Sequence, residues 1–230
     1  MPLFAVASAG DFIYIHDNDN RPSRPFPIMT IDMISLAIGL AAIALVFAYT
    51  LLTGSPPTPT SPRVRRAMLR LLPRRLDAAA GAGTIYELGA GWGGNALALA
   101  GSFPDHAVVA IERSPLPWLV ARLRAAVSGH RNLSVRRGDF MKRDFSDAVL
   151  AVCYLSGRQM PGVAGKLRRE LAPGALVLTH TFALPGWQPV DTVQADDLYK
   201  SPVYLYEAAA SSAARGAVAP ASQAATSSGS

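Results

Sequence analysis

The chain has 230 residues, half of them hydrophobic, and a net charge of +6, enough for one domain with extensions and suited to an acidic partner. Its single cysteine, Cys153, excludes an internal disulfide and a cysteine-rich zinc site, and His16, His106, His130 and His180 are scattered without metal-ligand spacing, so no metal is expected. The excess of arginine over lysine, in an alanine-rich chain, reads as composition bias more than as nucleic-acid binding, and nucleic acid is not expected as a partner.

Residues 1–32 are polar and proline-containing, without periodicity, and are expected to be disordered; Met29 and Met33 are alternative starts. Met33 to Thr53, MISLAIGLAAIALVFAYTLLT, carries no charge. At about 1.5 Å per residue a helix over 33–53 matches the roughly 30 Å hydrocarbon core of a bilayer. A signal peptide is the rival, but its apolar part is shorter and follows a cationic stretch; here Asp32 precedes and the arginines follow. The expectation is a transmembrane helix. Arg63, Arg65, Arg66, Arg70, Arg74 and Arg75 on its C-terminal side, against Arg21 and Arg24 before it, put the following domain in the cytoplasm by the positive-inside rule, as a single-pass protein of a bacterial inner membrane.

Residues 54–62, GSPPTPTSP, read as a proline-rich, semi-rigid linker. The domain is expected over 63–207. In RVRRAMLRLLPRRL, Val64, Met68, Leu71 and Leu72 fall on one helical face, and Pro73 ends or kinks the helix. Covering the sheet is the favoured role for this helix; lying on anionic headgroups is the alternative.

From Thr84 strands and helices alternate: TIYELG, then a helix GNALALAGSF; AVVAIE, then a helix PWLVARLRAAV; LSVRRGD; DAVLAVCYL, then a helix GKLRREL; ALVLTHTF; and two last strands in VDTVQADD and PVYLYEA. The pattern predicts an α/β, Rossmann-like, doubly wound, mostly parallel sheet, here preceded by one transmembrane helix. Residues 208–230, rich in alanine and serine, are expected to be a disordered tail.

The chemistry sits in Glu87-Leu-Gly89-Ala90-Gly91-Trp92-Gly93-Gly94. Glycines let the chain turn sharply and a ligand approach the backbone, with the free N–H groups of the next helix beyond. Gly89, Gly91 and Gly94 satisfy the G-x-G-x-x-G of dinucleotide folds; Gly89, Gly91 and Gly93, preceded by Glu87, satisfy the E-x-G-x-G-x-G of S-adenosylmethionine enzymes. Glu87 separates them. A carboxylate is repelled by pyrophosphate and attracted by an ammonium or sulfonium. Glu112, ending the second strand, is placed for ribose hydroxyls under either reading. Asp139, after the third strand, is placed for an adenine amino group, with Phe140 beside the ring. Ala90, Trp92 and Arg113 complete the expected cofactor-contacting set of Glu87, Gly89, Ala90, Gly91, Trp92, Gly93, Glu112, Arg113, Asp139 and Phe140.

With YELGAGWG, VVAIE, RRGDF and LAPGALVL in this order, the chain over 33–207 resembles the class I, seven-β-strand methyltransferases. More narrowly it resembles the membrane-anchored protein-lysine methyltransferases of mitochondria and their prokaryotic relatives, through IERSPLPWLVARLRA, with Ser114 near an asparagine position, and TFALPGWQPVD. The resemblance implies S-adenosylmethionine as cofactor, the bilayer as a partner through one helix, and protein lysine as acceptor. Methylation of a membrane lipid or quinone-like molecule, and non-catalytic cofactor binding, are the alternatives; a dehydrogenase comes last. Cys153 lacks the preceding proline of RNA cytosine methyltransferases, and no N-P-P-Y-type tetrad is present. Tyr154 is the candidate for orienting an acceptor amine, with core packing an equal alternative. Trp118 and Trp187 read as packing residues, and no general base stands out.

Overall fold

The computed structural model describes residues 6–9, 12–15, 26–53, 58–74, 76 and 83–209. Contacts divide the chain into two units, Met1–Leu52 and Thr53–Ser230.

In the first unit, β1 (Val6–Ala9), β2 (Phe12–Ile15) and β3 (Phe26–Pro27) form an antiparallel ribbon in that order, with Val6 opposite Ile15 and Phe12 opposite Pro27. Disorder was expected over 1–32. The hairpin signal is nonetheless in the sequence: two short apolar runs separated by Gly10 and Asp11. The apolar segment is helical, as α1 (Ile28–Thr53), beginning before the expected 33. Its side chains are described without a break over 32–45, and among the described residues no helix is long and apolar enough to cross a membrane. The transmembrane helix expected over 33–53 is therefore corrected to a helix; a membrane span is not shown.

The second unit opens at α2 (Pro62–Leu71), capped by Ser61, whose hydroxyl accepts from the Val64 N–H at 3.2 Å, with Pro62 in the first turn. Val64 and Met68 are buried as its period predicts, and the helix stops before Pro73. Then come β4 (Thr84–Leu88), α3 (Gly94–Ser102), β5 (Val108–Glu112), α4 (Pro115–Val127), β6 (Leu133–Arg137), a 3-10 turn at Phe140–Lys142, β7 (Ala148–Cys153), α5 (Met160–Glu170), β8 (Leu176–His180), β9 (Asp191–Gln194) and β10 (Pro202–Glu207). Every element expected from Thr84 onward is present. The largest boundary difference is α5, which starts at Met160 instead of 165. Pro161 and Gly162 look like breakers, but proline is well tolerated in a first helical turn.

The seven-stranded sheet runs β6-β5-β4-β7-β8-β10-β9, parallel except for β10, which is antiparallel to both neighbours. All residues of β4, β5 and β7 are buried. Strands buried along their whole length are what a sheet covered on both faces requires. Right-handed crossovers put α3 and α4 on one face and α5 on the other. The chain winds outward from β4 in one direction and from β7 in the other, so β4 and β7 flank the point where strand order reverses. Ligands of open α/β sheets bind there, beyond the carboxyl ends of the strands.

The ends of the domain differ slightly from expectation. Thr60, placed in the 54–62 linker, is buried. Ala208, placed in the 208–230 tail, is buried too and exchanges backbone hydrogen bonds with Gly174 and Ala175. Residues 54–57 and 210–230 lie outside the described residues.

Candidate active site

A cavity of about 440 Å³ opens at this reversal point. Its floor is the turn between β4 and α3. Gly89 has φ +72°, and a Cβ there would lie 2.7 Å from Leu155 Cδ2. Gly93 has φ +77°, and its Cβ would lie 2.9 Å from the Ala121 Cβ of α4. Both positions need glycine on two counts, a left-handed backbone and a close neighbour. The Gly89 and Ala90 N–H groups both donate to the Ile111 carbonyl at 2.9 Å, locking the turn to β5.

Glu112 fixes the rest of the turn. Its carboxylate accepts from the Gly91 N–H at 2.8 Å and the Ser114 N–H at 2.7 Å, one on each oxygen. Each oxygen keeps a lone pair, so the same carboxylate can still accept from two hydroxyls of a ligand.

Glu87, at the end of β4, is 3% exposed. Its carboxyl interacts with the Ala96 backbone N–H and the Asn95 side chain, yet Oε2 has no hydrogen-bond partner among the described residues. Burial pushes its pKa up to about 8, against the opposing pull of those hydrogen bonds and of Arg65. A buried carboxyl with an orphan oxygen, in the wall of a cavity, is a seat for a ligand cation, whose charge stabilises the ionised form. That separates the two readings of the glycine turn in favour of a cationic ligand.

Asn95 ties this carboxyl to α2. Its Oδ1 accepts from Arg65 Nε at 3.1 Å, and its Nδ2 donates to Thr60 Oγ1 at 3.0 Å. Arg65 also donates to the Thr60 carbonyl at 3.0 Å. Burial and the neighbouring Arg124 lower the Arg65 pKa, while Glu87 raises it. Arg124 donates to the Trp92 carbonyl at 2.6 Å. The cavity thus carries Glu87, Glu112 and Asp139 alongside Arg65, Arg113 and Arg124, a lining matched to a zwitterion with a polar body.

Of the expected cofactor positions, Glu87, Gly89, Ala90, Gly91, Trp92, Glu112, Arg113, Asp139 and Phe140 all line this cavity. Gly93 does not; it lies against Ala121 and serves the packing of α3 on α4. Asp139 commits Oδ1 to the Met141 N–H at 2.9 Å, which caps the 3-10 turn and holds Phe140 in the wall. Tyr154 lines the cavity and stacks on His180, ring centroids 3.9 Å apart. Cys153 is fully buried, its thiol pushed up to about 12 by burial, and it does not line the cavity. Trp187 is a packing residue as expected, its Nε1 donating to the Ala164 carbonyl and its ring edge-on to Tyr206. Trp118 lies outside the cavity lining, under the Arg122 guanidinium.

Thr60, Arg65, Asn95 and Arg124 were missed. Asn95 had a signal, because it begins α3 directly after the glycines. Thr60 and Arg65 had none: a threonine in a proline-rich stretch and one arginine among many.

Residues 87–191 match the family described as the ANTKMT methyltransferase domain. A protein-lysine N-methyltransferase of Saccharolobus islandicus is 28% identical over 158 residues, 66% of this chain and 92% of that one. An RNA methyltransferase from Salinibacter ruber, solved with S-adenosyl-L-homocysteine, superposes with a TM-score of 0.55 at 28% identity, covering 66% of this chain and 94% of that one. Precorrin-6y C5,15-methyltransferase from Geobacter metallireducens shares the fold, with a TM-score of 0.50 at 14% identity. Fold, glycine turn, buried carboxyl and relatives agree: the chain is a class I methyltransferase whose cofactor is S-adenosylmethionine.

Proposed function

We propose that the enzyme methylates lysine side chains of proteins, and that α1 tethers it to the cytoplasmic face of a membrane. The observation that carries the lysine reading is the 28% identity over 158 residues with a protein-lysine N-methyltransferase, 92% of that protein's length.

The bound cofactor supplies a methyl group already activated on a sulfonium. In our reading Glu87 Oε2 takes the ammonium of its methionine part, and Arg65 and Arg124 face its carboxylate, with Asn95 holding Glu87 and Arg65 in register. Glu112 takes the ribose hydroxyls, and Asp139 and Phe140 hold the adenine. The walls contributed by Gly89, Ala90, Gly91, Trp92 and Arg113 close around it. What remains for the protein is to position a neutral amine and exclude water, since displacement at an activated methyl needs alignment more than acid–base help. In our reading Tyr154, held by its stack on His180, orients that amine.

The tether rests on the apolar segment and its flanking arginines. Along α1, Met33, Ile34, Leu36, Ile38, Leu40 and Ile43 are each more than half exposed. Such a surface is disfavoured in water by about 25 cal/mol per Å², and a bilayer removes that cost.

Purified enzyme and methyl-labelled S-adenosylmethionine, incubated with membrane and soluble extracts of a deletion strain, test the proposal. Label is expected in methyllysine after protein hydrolysis, and carbonate-washed membranes are expected to retain the full chain but not a chain lacking 1–53. Label confined to lipid or to RNA would refute the lysine acceptor; full release by carbonate would refute the tether.

A further inference from the structure

A second cavity, of about 510 Å³, adjoins the first. The two share Thr58, Pro59, Thr60 and Tyr154. Thr60 is the nail in this partition: Oγ1 accepts from Asn95 on the cofactor side and lies 3.1 Å from His180 Nε2 on the other. His180 in turn has Nδ1 3.1 Å from Thr181 Oγ1 and its ring against Tyr154. Burial lowers the His180 pKa to about 4, so the imidazole is neutral, opposed only by Asp197.

Thr181 has φ +68°, a conformation that β-branched residues rarely adopt. The strain has a structural result. His180 and Thr181 line the second cavity, and Phe182, one residue on, lines the first. Strain of this kind marks functional walls, where the surrounding structure over-determines the backbone.

The rim is basic. Arg63 and Arg66 line it and neither is in an ion pair among the described residues; Arg63 donates to the Asp196 carbonyl at 3.2 Å. The rim's acid, Asp197, commits both carboxylate oxygens to Ser201, at 2.8 and 2.7 Å. Beside them Leu198 and Tyr199 are 87% and 83% exposed, an apolar lip with nothing packed on it among the described residues.

We propose that the second cavity is the acceptor entrance, and that it takes a lysine-bearing peptide with acidic neighbours, delivering the amine to Tyr154 from the side away from the cofactor. This rests on the lysine reading above. The rim arginines do two things. They pair with carboxylates flanking the lysine, and they disfavour the charged form of the incoming amine, which must be neutral to accept a methyl group. The peptide's acidic neighbours offset the repulsion of its own lysine. Leu198 and Tyr199 give it an apolar contact, and the neutral walls of Thr60, Tyr154, His180 and Thr181 give the aliphatic stem a path inward.

Synthetic peptides with one central lysine, flanked by glutamates or by arginines, test this with full-length enzyme. The glutamate-flanked peptide is expected to have a kcat/KM about five- to tenfold higher, in line with two exposed charge pairs. The R63E/R66E double variant, at two exposed positions, is expected to reverse the order while its S-adenosylmethionine Kd stays unchanged. Equal use of both peptides by the wild type, or an unchanged preference in the double variant, would overturn the entrance and leave lysine methylation standing. Transfer to neither peptide overturns both.

Discussion

Glu87→Gln is expected to weaken S-adenosylmethionine binding by about 1.5–3 kcal/mol, or about 10- to 150-fold, the usual range for a hydrogen bond to a charged group. Glutamine fills the same space at the end of β4 but cannot become the anion that a ligand ammonium needs. The same substitution is expected to help the empty protein at neutral and alkaline pH. The Glu87 carboxyl has its folded pKa raised from 4.5 to about 8 by burial. A raised folded pKa means that the carboxyl's contribution to stability is fully present below the unfolded value, and is lost as pH rises through the folded one. Wild-type enzyme should therefore lose stability between 4.5 and about 8 through this group, and Glu87→Gln should lack that part of the slope. Thermal melts across this range, without and with cofactor, read both effects. A glutamine variant that binds as tightly as the wild type would remove Glu87 from the site.

Glu112→Ala is expected to cost more. It deletes the acceptor for two backbone N–H groups, those of Gly91 and Ser114, at 2.8 and 2.7 Å. Ser114 is buried, so its N–H is left without water as well as without carboxylate. The loss should be about 3 kcal/mol of stability, readable in urea denaturation, with cofactor affinity falling by more than about a hundredfold as the turn loses its anchor. Glu112→Gln is not expected to rescue. An amide offers one acceptor and points its own N–H at the second donor, so one of the two backbone groups must face another donor. Wild-type stability in Glu112→Ala would show that the turn is held by its bonds to Ile111 alone.

Most of the sheet was legible because fully buried parallel strands read as short apolar runs, and the carboxylates ending them stand out. Glu87 and Glu112 lie at the ends of β4 and β5 and Asp139 follows β6 by two residues, so the alternation of strands and helices alone puts them at one sheet edge. What was not legible depends on contacts distant in sequence. Thr60 joins the site through Asn95, 35 residues away, and His180, 120 residues away. Nothing in a proline-rich stretch distinguishes a spacer from a strap across a cavity. Gly93 fits the cofactor motif as a letter, but its reason for being glycine is Ala121 of α4, a packing partner that no local pattern reveals. The same limit applies to 33–53: an apolar helix is readable from composition, whereas its surroundings are not.

Buffer-dependent calorimetry tests the central claim, that a buried carboxyl at the end of β4 seats the cofactor's cation. Near pH 7, below the range in which the ligand's own α-amino group titrates, Glu87 is mostly protonated in the empty site and must ionise to pair with an ammonium. Binding measured in buffers of differing ionisation enthalpy should show the release of about one proton per cofactor. The release should disappear in Glu87→Gln. A binding enthalpy independent of buffer in the wild type, or the same release in both proteins, would contradict the account.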